Sequence, residues 1–166
     1  MTGEAARVIL RPACVDDVPA VLAMIRELAE YERLADAVVA DEARLRAALF
    51  GPEPAAEVVM ADVDGAPAGF ALFFHTFSTF LGRRGLYLED LFVRPAYRGR
   101  GIGLALMRHL AALALARDCG RFEWTVLDWN APAIGFYRRL GAVAQSDWTV
   151  QRLEGASLRA LAQRAG

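Results

Sequence analysis

The feature that most constrains the fold is one junction: Leu91-Phe92-Val93-Arg94-Pro95-Ala96-Tyr97-Arg98-Gly99-Arg100-Gly101-Ile102-Gly103. A nearly continuous apolar run from Leu86 to Val93 reads as a central strand. It passes through a short turn into a helix whose first residues are glycine and arginine. The free N–H groups of a helix start and the positive end of its macrodipole attract an anion. Gly99, Gly101 and Gly103 let a phosphate approach the backbone, and Arg98 and Arg100 add charge. Turn-forming glycines beside solvated arginines are the plain alternative. It explains less, because each glycine inside a helix loses about 1 kcal/mol of helix propensity.

The remaining pattern predicts alternating strands and helices. Strands are expected at Val8–Leu10, Glu57–Val63, Ala68–Phe77, Leu86–Val93, Phe122–Leu127 and Trp148–Leu153, with Asp64-Gly65 turning a hairpin. Helices are expected from an Asp16-Asp17 cap to about Arg33, from Asp41 to Leu49, from Arg100 to Arg117 and from Ala131 to Leu140. This predicts one α/β (α+β) domain over residues 1–166, with helices packed on a sheet.

Composition excludes several chemistries. All 19 basic residues are arginine, so there is no lysine for a Schiff base, a catalytic base or a Walker A loop. The dinucleotide fingerprint fails as well, because Leu104 stands at its third glycine. A formal net charge of −1 gives no basic field for nucleic acid. Cys14 and Cys119 form no disulfide framework, and with His75 and His109 they lack metal-ligand spacing, so no metal is expected. The amino-terminal residues lack a signal-peptide pattern, and Gly65–Gly82 is too polar for a membrane span. The expected location is cytoplasmic, with no membrane partner.

Two further segments carry candidate chemistry. Glu89-Asp90 places two carboxylates inside an apolar strand, where burial would raise the pKa of an acid toward a base's working range. A solvated strand end or a structural ion pair is equally compatible. In Asp128-Trp129-Asn130-Ala131-Pro132, Asn130 is a natural helix cap, and Tyr137 lies two turns further on, where an aromatic is usually a packing residue.

In order and spacing these segments resemble the GNAT superfamily of N-acetyltransferases, over about Val8 to Leu153. Arg98-x-x-Gly101-x-Gly103 matches its (Gln/Arg)-x-x-Gly-x-(Gly/Ala) loop. The stretches Ile25–Glu32, Tyr87–Asp90, Tyr97–Gly103 and Val126–Asn130 are similar to the diamine (spermidine/spermine) and thialysine N-epsilon-acetyltransferase branch. The resemblance implies a mixed central sheet of about six to seven strands with helices on both faces. It also implies direct acetyl transfer from acetyl-CoA to a primary amine.

By the same resemblance Glu89 is the general base, acting through water, and Tyr137 the acid that protonates the CoA thiolate. Leu91, Phe92 and Val93 hold the pantetheine arm, and Arg98, Gly99, Arg100, Gly101, Ile102 and Gly103 the pyrophosphate. Asn130 and Tyr137 add cofactor contacts, and Glu32, Ser78, Phe80, Glu89 and Asp90 line the amine site. Polyamine members carry Asp where this chain has Ser78, which favours a shorter, amino-acid-like amine. Members are commonly homodimers exchanging a C-terminal segment, here Trp148–Leu153. A protein or peptide N-acetyltransferase and a non-catalytic CoA-binding domain are the competing readings.

Overall fold

The computed structural model describes residues 7–164. The sequence reading of no leader peptide falls partly on residues 1–6, outside that range. The chain forms two compact units, Met1–Thr125 and Val126–Gly166.

The first unit is a five-stranded mixed sheet of β1 (Val8–Pro12), β2 (Glu57–Val63), β3 (Ala66–Ser78), β4 (Arg83–Val93) and β5 (Arg121–Trp124), in that order across the sheet. β1 to β4 pair antiparallel, whereas β5 runs parallel to β4 after a helical crossover. Asp64 and Gly65 join β2 to β3 with φ of 50° and 82°, the left-handed pair that a tight hairpin requires.

Helices cover both faces. On one lie α1 (Val18–Tyr31) and α2 (Glu42–Phe50), whose Val21, Met24 and Leu49 pack on Val58, Met60, Phe70, Leu72 and Phe92. The alternate strand residues Val59, Ala61, Ala71, Phe73, Leu86 and Leu88 are buried too, as a sheet covered on both sides demands. Above them α3 (Ile102–Ala116) buries Ile102, Leu106 and Leu110. Just past its end, Arg117 reaches Glu57 (Nη2 to Oε1, 2.9 Å) and lies over the Phe73 ring.

The cap expected at Asp16-Asp17 has a different use. No side-chain cap bond closes the start of α1; the Asp17 carboxylate accepts from Arg11 (2.7 and 2.9 Å) and from the Cys14 N–H (2.8 Å). Arg11 also donates Nε to Asp62 (2.6 Å), so one guanidinium ties β1, β2 and the approach to α1 together. Asp41 does cap α2, accepting from the Arg44 N–H at 2.8 Å.

The second unit holds α4 (Ala131–Arg139) and α5 (Gly155–Gln163). Here the expected sheet needs correction: it has five strands, not six to seven, and among the described residues no strand follows Trp124. Trp148–Leu153 alternates apolar and polar as a half-buried strand would, but is not paired in any ladder, and Trp148 and Val150 are 80% and 76% exposed. Alternation selects a face; a strand also requires a neighbour for its N–H and C=O groups. The predicted extension of β5 to Leu127 is absent for the same reason, since its ladder with β4 ends at Leu88–Trp124. α5 was not anticipated from the sequence. Among the described residues no helix is long and apolar enough to cross a membrane.

Candidate active site

The two carboxylates of β4 sit at an irregularity in the sheet. Leu72 pairs with Asp90 and Phe73 with Leu88, which leaves Glu89 as the extra residue of a β-bulge. The parallel ladder with β5 stops one residue earlier, so Glu89–Val93 continue beyond it. A strand that leaves its ladder can offer backbone groups to an extended ligand. Register places Asp90 on the face shared by Leu72, Phe70 and Phe92, the face beneath α1 and α2.

Burial acts on the two acids differently. Asp90 is half-buried and its carboxyl is pushed up to about 6, first by desolvation and then by the negative charges of Glu89 and Glu32. Glu32, at the C-terminal cap of α1, is also raised by desolvation. Glu89 is exposed. Thus the structure gathers Glu32, Glu89 and Asp90 into one electrostatic neighbourhood, and the upward shift expected of a buried strand acid falls on Asp90. No group of three or more His, Cys, Asp or Glu among the described residues is placed to hold a metal ion.

Beyond β4 the chain makes a single 3-10 turn, Pro95–Tyr97, and enters α3 through glycines. Gly99 and Gly101 have φ of 77° and 76°, and a Cβ built on either would meet nothing within 4 Å. Gly101 is the N-cap and makes no side-chain cap bond. The two glycines thus leave room beside the first turn of α3 for a group the size of a phosphate. The Ile102 side chain is 2% exposed and lies in the core. Phe92 is likewise buried.

The Arg98 side chain is engaged within the first unit. Its Nε donates to the Val93 carbonyl (2.9 Å), and its guanidinium carbon lies 5.3 Å from the Tyr31 ring centre and 5.6 Å from that of Phe92. Arg100 lies over Tyr97 at 5.6 Å. Tyr31, Glu27 and Arg94 were not identified from the sequence. Arg94 holds Glu27 of α1 (2.8 Å) and the Pro67 carbonyl (3.0 Å), fastening α1 to the ends of β3 and β4. No sequence signal separated that arginine from solvated ones, since its partner lies 67 residues away.

Ser78 and Phe80, expected from the sequence at an amine site, lie at the β3–β4 turn, apart from this cluster. Ser78 accepts from the Leu81 N–H (3.3 Å) and so shapes the turn, and Phe80 stands 94% exposed at its tip. Within the second unit, buried Asn130 caps α4 by accepting from the Ala133 N–H (3.3 Å). Tyr137 is half-buried in α4 with its ring 5.4 Å from that of Phe136.

Comparison with known proteins gives the class. The acetyltransferase (GNAT) family model matches residues 22–142, so the chain belongs to the GNAT family and is an acetyltransferase. A thialysine N-epsilon-acetyltransferase of Sus scrofa is 40% identical, over 95% of this chain and 98% of that protein. An L-ornithine N5-acetyltransferase of Arabidopsis thaliana is 31% identical over 92% and 86% respectively. Among solved structures, an integron cassette protein from the mobile metagenome of V. cholerae matches with a TM-score of 0.80 at 30% identity, covering 95% of this chain and 98% of that one.

Proposed function

We propose that this protein transfers an acetyl group from acetyl-CoA to the side-chain amine of a small cationic amino acid of the thialysine or ornithine type, rather than to a long polyamine. The observation that carries the reading is the set Glu32, Glu89 and Asp90, gathered at the bulge of β4 and the end of α1. Three carboxylates suit one ammonium group. The names of the two relatives above favour a short substrate over a polycation.

Acetyl-CoA supplies an activated thioester carbonyl when bound. The Gly99–Gly103 backbone and the dipole of α3 would hold its pyrophosphate, and the main chain of Leu91–Val93 its pantetheine arm. An alkyl ammonium titrates near 10.4 and is no nucleophile at neutral pH. Glu89, the exposed acid at the bulge, takes that proton through water, while Asp90 and Glu32 orient the cation. Tyr137 returns a proton to the thiolate sulfur, and Asn130 adds a cofactor contact. We take residues 1–166 to act as one N-acetyltransferase domain, cytoplasmic and homodimeric.

Mass spectrometry of products from acetyl-CoA and a mixed panel (thialysine, lysine, ornithine, spermidine, putrescine and a short peptide) tests this. Acetylation of thialysine or ornithine ahead of spermidine is the expected result. Spermidine ahead of both restores the polyamine reading, and the peptide alone makes this a protein acetyltransferase.

A further inference from the structure

We propose that Arg98 is a positioning residue that locks the end of α1 onto the end of β4, and not a ligand of the phosphate. Three contacts carry the assignment: Nε on the Val93 carbonyl at 2.9 Å, and the guanidinium carbon 5.3 Å from the Tyr31 ring and 5.6 Å from the Phe92 ring. All three turn the side chain toward the sheet and α1. Tyr31 precedes Glu32, and Phe92 shares its sheet face with Asp90. Arg98 therefore couples the loop that binds the donor to the acids proposed to bind the acceptor. An arginine stacked on aromatic rings is held by their quadrupoles as well as by its hydrogen bond, so lysine is a poor substitute. Glutamine keeps an N–H donor for the Val93 carbonyl but has no charge for a phosphate.

The kinetic arm rests on the proposed amine acetylation; the binding arm does not. CoA affinity is measured by calorimetry without amine for wild type, Arg98→Gln, Arg98→Ala, Tyr31→Leu and Arg98→Ala/Tyr31→Leu, and KM and kcat for thialysine in the same set. The expected result is a CoA Kd for Arg98→Gln within about threefold of wild type. The amine KM should rise about tenfold in Arg98→Ala and in Tyr31→Leu, with kcat changing less. The double variant should be no worse than either single one, since contacting residues are not additive. A tenfold or greater loss of CoA affinity in both Arg98 variants, with Tyr31→Leu silent, would make Arg98 a phosphate ligand and overturn the proposal. Should Arg98→Ala fail to fold, Arg98→Gln carries the binding arm and Tyr31→Leu the kinetic one. Should wild type acetylate no amine in the panel, the proposed function falls while the CoA affinities still decide where the Arg98 charge acts.

Discussion

Glu89 and Asp90 are adjacent in the chain but live in different surroundings, and each carries its own expectation. Removing the Glu89 carboxylate in Glu89→Gln should lower kcat/KM by about a hundredfold at pH 7 and by much less near pH 10, where the amine loses its proton unaided. A parallel pH–rate profile for variant and wild type would take Glu89 out of that role. Asp90 titrates near 6 when folded against an ordinary 3.8, chiefly through burial, so the folded chain binds more protons than the unfolded one across that window. Stability from this group therefore falls as pH rises from about 4 to 6. Asp90→Asn should raise the thermal midpoint by a few degrees at pH 8 and change it little at pH 4; an equal effect at both values would reject the assignment. The doublet was visible in the sequence, but its partition into one exposed and one half-buried acid was not. That depends on a bulge set by the register of β3 against β4, which local residue pattern does not encode.

At the scale of elements, one side chain fastens several segments. Asp17 is held down to about 2 by the Arg11 hydrogen bonds, and Arg11 grips Asp62 as well. A carboxylate depressed in the folded state stabilises above its ordinary pKa near 3.8, and that contribution is lost as pH falls toward 2. Asp17→Asn should destabilise by about 2 kcal/mol near neutrality, and by progressively less below pH 4 in urea titrations. The α3 start gives a second expectation. Gly101→Ala forces an L residue to φ of 76°, at about 1–2 kcal/mol, yet adds a methyl where nothing stands within 4 Å. Its CoA affinity should fall more than its stability, read by calorimetry against urea unfolding. Helix α1, hairpin β2–β3 and the glycine loop were legible because periodicity, Asp64-Gly65 and spacing act locally. The Arg11 and Arg94 anchors span distant segments, and nothing in the adjacent residues announces them.

For the whole molecule, the segment Trp148–Leu153 has the alternation of a strand and pairs with no strand among the described residues. Light scattering at micromolar concentration should give a dimeric mass, and truncation before Trp148 should lower it; a monomer at that concentration would reject the exchange. Sheet order in the first unit follows chain order from β1 to β5. Each strand thus pairs with the one made just before it; β2–β3 and β3–β4 close as short hairpins, whereas β1 and β2 are joined across α1 and α2, and β5 waits for α3 to be laid down. Loops that close over few residues form first and long crossovers last. During synthesis the scaffold bearing Glu32, Glu89 and Asp90 can accordingly assemble behind the ribosome before the segment bearing Asn130 and Tyr137 has emerged. A fragment ending at Thr125 would carry Glu32, Glu89 and Asp90 without Asn130 or Tyr137.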